Sequence, residues 1–108
     1  MLFRSSDAEI AAVTSIDVHN KNIQSLTGIK FFVSLKYLNI TDNDLTHLEL
    51  SGNTELLSLS CYRNRIVSLD LTANKNLEYL DADGMESLVA VNVSGLDHLH
   101  YIDVSDSV

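Results

Sequence analysis

Apolar residues fall in short alternating triplets that recur along the chain at a near-constant spacing. Leu38-Asn-Ile40, Leu59-Ser-Cys61 and Leu80-Asp-Ala82 stand 21 residues apart, with Ile16-Asp-Val18 22 residues before and Ile102-Asp-Val104 22 residues after. Each is preceded by an apolar residue three positions earlier, at Val13, Leu35, Leu56, Leu77 and Leu99. A second set of triplets, Leu48-Glu-Leu50, Leu69-Asp-Leu71 and Val91-Asn-Val93, falls halfway between. Alternation puts every other side chain on one side of an extended strand. A single coil cannot bury that side alone, whereas stacked coils can, each touching only its neighbours. The spacing predicts parallel strands at 16–18, 38–40, 59–61, 80–82 and 102–104 with their apolar ends buried. The second half-turn should be another short strand or an extended or 3-10 segment.

Polar residues hold the same register. Asn43 and Asn64 follow the strand at one corner, and Asn53 and Asn74 stand at the opposite corner. A buried amide there can satisfy backbone groups left unpaired by a turn, so these residues should stack as ladders. Lys21, Met85 and Ser107 interrupt the first ladder and Leu96 the second. An inserted residue around 83–88 displaces Leu88 from its expected place and predicts a looser coil there. Ser6-Asp-Ala-Glu9 reads as a capping box, followed by a short helix over Asp7–Ala12. Residues 1–12 form a capping segment in this reading, and 13–108 form the solenoid, with coils starting near 13, 35, 56, 77 and 99. The chain should be truncated at its C-terminus, where the edge from Ile102 onward would fray or pair with another copy.

Leu35-Lys-Tyr-Leu-Asn-Ile-Thr-Asp-Asn-Asp-Leu45 and Leu56-Leu-Ser-Leu-Ser-Cys-Tyr-Arg-Asn-Arg-Ile66 satisfy the pattern LxxLxLxxNxL at every constrained position. The coil 56–76, with Cys61 inward and Leu69-Asp-Leu71-Thr72 in the second half, resembles bacterial leucine-rich-repeat proteins with 21-residue, two-half-turn repeats. These include internalin-like surface proteins and the repeat proteins of gut Bacteroidetes and Firmicutes. The resemblance covers residues 13–104. It implies a predominantly β repeat solenoid of α/β type: a right-handed leucine-rich-repeat coil with parallel strands and a short N-terminal helix. It also implies a surface-displayed or secreted, non-catalytic binding protein. A calcium loop that often precedes the first helix in such arrays has no counterpart in Met1–Ser5.

Charge narrows the partners. Net charge is −8. Residues 1–75 carry eight acids against seven bases, while 76–108 carry seven acids and no Lys or Arg. Such a surface repels phosphate, so neither nucleic acid nor an anionic membrane suits it. No apolar run is long enough to span a bilayer, and no signal peptide is present in this chain. The one cysteine, Cys61, reads as a buried structural thiol. His98 and His100 lack a third ligand, and no nucleophile-base or phosphate-loop motif occurs. Catalytic residues, cofactors and a dedicated metal site are therefore not expected.

The outward positions of the first strand row carry the candidate chemistry. They form three columns: Ser15, Tyr37, Ser58, Tyr79, Tyr101; Asp17, Asn39, Ser60, Asp81, Asp103; and His19, Thr41, Tyr62, Asp83, Ser105. Tyrosine supplies area and a hydroxyl at low entropy cost. The candidate ligand-binding residues are Tyr37, Asn39, Tyr62, Tyr79, Asp81, Asp83, Tyr101 and Asp103, facing a protein or peptide of basic character. Asp81, Asp83 and Asp103 should repel one another. That arrangement predicts a cation among them, a partner's Lys or Arg or a calcium ion, and a higher melting temperature for Asp103→Asn. A structural spacer or self-assembling module, and the recognition arm of a larger enzyme, are the alternative functions.

Overall fold

A computed structural model describes residues 7–105. The capping-box residue Ser6 and the last three residues, among them the ladder position Ser107, lie outside that range. The chain runs through a short helix α1 (Asp7–Ala11) and strands β1 (Ser15–Asp17), β2 (Tyr37–Asn39), β3 (Ser58–Ser60), β4 (Ser68–Asp70), β5 (Tyr79–Asp81), β6 (Ala90–Asn92) and β7 (Tyr101–Asp103). A 3-10 turn at Ile29–Phe31 closes the first coil. Strands β1, β2, β3, β5 and β7 form one parallel sheet, and β4 and β6 a second. The molecule is a parallel-strand solenoid built from leucine-rich coils.

Each strand begins one residue earlier than the alternation suggests, but the register between coils is the expected one. Ile16, Leu38, Leu59, Leu80 and Ile102 stand opposite one another along the sheet. The earlier start has a cause: the N–H groups of Tyr37, Ser58, Tyr79 and Tyr101 already donate to the Thr14, Lys36, Leu57 and Glu78 carbonyls of the preceding coil. The Ile40 N–H still donates to Ser60 (2.9 Å). Its carbonyl, however, accepts from the amide nitrogens of both Asn43 and Asn64 (2.9 Å each) and so leaves the ladder.

The inward columns pack to near-complete burial in the middle coils. Leu35, Ile40, Leu56, Leu59, Cys61, Leu77, Leu80 and Ala82 are all inaccessible to solvent, as are Leu45 and Ile66 beyond the corner. The end coils differ from expectation: Ile16 and Val18 are half-buried, and Ile102 and Val104 are 48% and 40% exposed. Burial in a solenoid needs a neighbour on both sides, and the terminal coils have one each within the described residues. The 83–88 stretch is not loose. Met85 takes the place of the ladder asparagine and is fully buried, Leu88 is nearly so, and the Leu88 N–H donates to the Met85 carbonyl (3.0 Å). An unbranched thioether can fill an irregular gap that an amide would leave unsatisfied.

Both asparagine ladders form. Asn43 accepts from the Lys21 and Ile23 N–H groups and donates to the Val18 and Ile40 carbonyls. Asn64 accepts from the Leu45 N–H (3.1 Å) and donates to Ile40 and Cys61. At the opposite corner Asn53 donates to Ile29 and Phe32, and Asn74 to Leu50 and Asn53. The residue before each first-corner position turns through the left-handed region: Asn20, Asp42, Arg63 and Gly84 have φ of 53°, 56°, 58° and 67°. That bend lets the next side chain point inward, at a cost of about 1–2 kcal/mol for a residue other than glycine.

The two corners should respond differently to truncation. Asn64→Ala removes the side-chain acceptor of a fully buried N–H, that of Leu45. Asn53→Ala strips carbonyls that keep a second donor, since Ile29 and Phe32 also accept from Phe32 and Leu35 N–H groups. It also removes a buried side-chain oxygen that has no partner. Asn64→Ala should cost about 1–3 kcal/mol and Asn53→Ala clearly less, measured by chemical denaturation. Equal losses would contradict this division between the corners.

Candidate functional site

The outward face of the five-stranded sheet carries the columns read from the sequence. Register pairs Tyr37 with Ser58, Ser58 with Tyr79, and Tyr79 with Tyr101; beside them run Asp17, Asn39, Ser60, Asp81 and Asp103. Tyr37 and Tyr101 are 50% and 43% exposed, while Asn39, Tyr62, Tyr79, Asp81, Asp83 and Asp103 are half-buried. Thr41 belongs to the same row in sequence but is buried. Its carbonyl accepts from both the Asn20 N–H and the Asn43 amide, which draws it into the corner.

The tyrosines divide into two groups. Tyr79 and Tyr101 stack with ring centroids 4.5 Å apart and planes 5° from parallel. Their separation is close to the spacing of parallel strands, about 4.7–4.9 Å, so the rings stack from one coil to the next. Burial, then the Asp81 charge, raises the pKa of the Tyr79 hydroxyl and keeps it protonated. Tyr62 lies one column over, and the guanidinium of Arg63 sits 5.7 Å from its ring centre. That same Arg63 reaches Asp42 at 3.6 Å.

The acidic column has a structural role that the sequence reading missed. Asp17, Asn39, Asp81 and Asp103 each accept the N–H of the residue two places on, at His19, Thr41, Asp83 and Ser105. Asp70, Asn92 and Glu49 do the same at Thr72, Ser94 and Ser51 in the second half-turn. These closures satisfy an N–H that the bend takes out of the sheet. The signal was available: an acid or amide stands two residues before Ser or Thr in Asn39-Ile-Thr41, Glu49-Leu-Ser51, Asp70-Leu-Thr72, Asn92-Val-Ser94 and Asp103-Val-Ser105.

The three C-terminal carboxylates are not equivalent. Ser105 Oγ lies 2.6 Å from Asp103 and 3.0 Å from Asp83 and links them. The Ser105 hydroxyl and N–H hold Asp103 below the ordinary carboxylate range. Asp81 moves the other way: its partial burial, reinforced by the charges of Asp103 and Asp83, raises its pKa despite the Asp83 N–H. The electrostatic cost expected for the whole cluster is thus concentrated on Asp81, and Asp103 is favoured as a carboxylate.

Elsewhere, Cys61 is buried and free, and desolvation pushes its thiol up to about 12, far from a nucleophilic thiolate. Nδ1 of His100 lies 3.1 Å from the His98 carbonyl oxygen. Among the described residues, no three His, Cys, Asp or Glu side chains are grouped to hold a metal ion.

Comparison with known proteins places these coils. No family-level sequence profile matches the chain. Internalin J from Listeria monocytogenes serotype 4b is 43% identical over 49 residues, which span 45% of this chain and 5% of that protein. Internalin J from serovar 1/2a of the same species is 39% identical over 49 residues, 6% of its length. The solved functional domain of internalin J, described as including a cysteine ladder, superposes with a TM-score of 0.90 at 36% identity. That match covers 94% of this chain and 22% of the domain. A second Listeria monocytogenes internalin, inlF, shares the fold at a TM-score of 0.76 and 22% identity, over 95% of this chain and 38% of its own. The coils are internalin-like leucine-rich repeats, and the chain spans about a twentieth of the length of the curated relatives it matches.

The asymmetry between Asp81 and Asp103 sets a pH-dependent outcome. Asp81 has a raised folded-state pKa, so its contribution to stability is present below the unfolded value near 3.9 and is lost as pH rises through the folded value. Asp103 has a depressed folded-state pKa, so its contribution is present at neutral pH and is lost as pH falls through that value. At pH 7, Asp81→Asn should therefore melt above the parent, with the amide oxygen still closing the turn as Asn39 does. Asp103→Asn should melt at or below it, reversing the sequence-based expectation. Lowering the pH to 3 should close the Asp81→Asn gap. A higher melting temperature for Asp103→Asn than for Asp81→Asn at pH 7 would contradict the assignment.

Proposed function

We propose that this internalin-like solenoid is a non-catalytic binding scaffold of a bacterial surface or secreted protein. It engages a protein or peptide through the outward face of the five-stranded sheet. The observation that carries the reading is the stacked Tyr79–Tyr101 pair standing on an unpartnered sheet face beside Asp81, Asp83 and Asp103. Rigid, half-exposed aromatic rings flanked by polar groups are the composition of protein recognition sites. The partner has basic character, because residues 76–108 supply seven acids and no Lys or Arg to neutralise them. The likeness to internalin J supports the repeat type and does not identify a ligand.

The opposite row, from Glu49 through Asp70 to Asn92, is the less favoured face. Its outward positions hold no tyrosine, and among the described residues its sheet consists of β4 and β6. A second reading, self-association, draws on the exposed Ile102 and Val104. Alternating apolar and polar groups on a strand edge can pair with another chain. Light scattering over a concentration series should then show mass growing with concentration, and a constant monomer mass would remove that reading.

The principal reading is tested by titrating a Lys/Arg-rich dodecapeptide into the isotopically labelled chain, with a Glu-rich peptide as control. Amide shifts should cluster at 37–41, 58–62, 79–83 and 101–105 for the basic peptide alone. Tyr101→Ala should weaken binding by about tenfold, the effect of losing one aromatic contact worth about 1–2 kcal/mol. Shifts confined to 48–51, 69–72 and 91–94, or none with either peptide, would overturn it.

A further inference from the structure

The stack of Tyr79 on Tyr101 leaves a gap beside it. In the tyrosine column the order is Tyr37, Ser58, Tyr79, Tyr101. Tyr79 and Tyr101 stand on adjacent strands and stack with near-parallel planes and centroids 4.5 Å apart, so the second face of Tyr79 is turned away from Tyr101, to the Ser58 side. One face of Tyr79 is covered by Tyr101, and the other looks toward Ser58, whose side chain is too short to reach it. Tyr37 stands on the far side of Ser58. Strands two apart are separated by roughly 9.5 Å, whereas a planar group in contact with rings on both sides needs about 7–8 Å. The register thus leaves room for one planar group between the Tyr37 and Tyr79 positions, over Ser58.

Polar groups around the slot define what enters it. Ser60 lies beside Ser58 on the same strand and is paired in register with Asp81. Asp81 is a half-buried carboxylate with no ion pair among the described residues, where the pairs are His19–Asp17 and Arg63–Asp42. Other aromatic rings already have a cation from this chain: Lys30 stands over Phe31 at 5.4 Å and Arg63 over Tyr62 at 5.7 Å. Among the described residues, no Lys or Arg stands over the Tyr79 ring.

We propose that the Tyr37–Ser58–Tyr79 slot receives one arginine side chain of the partner, its guanidinium stacked on the free face of Tyr79 and hydrogen-bonded to Asp81. This rests on the reading of the sheet face as the docking surface for a basic protein or peptide, and it names the side chain that face selects. A guanidinium is flat, weakly hydrated and carries five donors in a fixed fork. It can lie against the ring while directing N–H groups at the carboxylate and at the Ser58 and Ser60 hydroxyls. A lysine ammonium offers a point charge that must shed tightly held water to enter, and gains less from the ring face.

The test compares two N-acetylated octapeptides, alternating Gly-Arg and alternating Gly-Lys, titrated into the full chain while the Tyr79 ring resonances are followed. The expected result is about three- to fivefold tighter binding of the arginine peptide, with upfield guanidinium-side signals and shifted Tyr79 ring signals. Ser58→Tyr, which continues the stack and fills the slot, should bring the arginine peptide down to the lysine peptide's affinity. Tyr79→Phe should retain the preference and Tyr79→Ser should abolish it. These two variants decide the matter should Ser58→Tyr lose its native amide spectrum. Equal binding of both peptides, unchanged by Ser58→Tyr, would overturn the slot while leaving the basic-partner face intact. Failure of both peptides to bind would overturn the face and the slot together.

Discussion

Everything in this molecule depends on the parallel backbone ladder that joins each coil to the next at a fixed register. Lys36, Leu57 and Glu78 each present one carbonyl to two N–H groups of the following coil, for example Lys36 to Leu57 and Ser58 at 2.8 and 3.0 Å. This repeated bond pattern makes residue identity at one position matter to its counterparts 21 or 22 residues away. It brings Leu38, Leu59 and Leu80 into one apolar column, and it brings the tyrosines into one outward column. A one-residue slip would exchange the two. The corners keep the ladder in place: the first four coils turn through a left-handed residue, and in the second and third the buried amides of Asn43 and Asn64 take up carbonyls and N–H groups that the turns release.

The sheet, its register and its core columns were legible because they rest on side-chain type at regular spacing. Leu35, Leu38 and Ile40 declare an inward side by alternation alone, and Asn43 and Asn64 are conspicuous as amides in a fixed place. Three features were not legible. The left-handed turn passes through Asn20, Asp42 and Arg63 before reaching a glycine at Gly84, so no single residue type marks it. The burial of Thr41 comes from carbonyl bonds made by Asn20 and Asn43, which alternation does not encode. Met85 fills a place where the pattern calls for an amide, and only the packing shows that a flexible side chain closes the gap. In the candidate site the column membership was readable, but the division of labour was not. The turn closures made by Asp81 and Asp103, and the Ser105 hydroxyl that favours Asp103 over Asp81, depend on distances of a few ångströms.

The same ladder explains why a binding surface fits this fold. Polar requirements of the backbone are met at the corners and strand ends, so the outward side chains between them are free to vary without cost to the core. The acidic column is partly structural, closing turns, and partly available, since a carboxylate that accepts one N–H retains further acceptor capacity. Tyr79 and Tyr101 add a rigid apolar surface to that polar ground. Resemblance to internalin J establishes the coil type, and the tyrosines and the acids of residues 76–108, unbalanced by Lys or Arg, supply the chemistry of the outward face.

Residue-resolved amide hydrogen exchange tests the stacking account most directly. Backbone groups bonded on both sides by neighbouring coils should open only with global unfolding, whereas those with one neighbour should open locally. The account predicts the slowest exchange at the N–H groups of Ile40, Leu45, Ser58, Cys61 and Tyr79, which lie within the central coils. It predicts exchange at least a hundredfold faster at Ile102 and Val104, on the order of a 3 kcal/mol difference in opening free energy. Uniform protection from β1 to β7, or fastest exchange at Leu45 and Cys61, would contradict it.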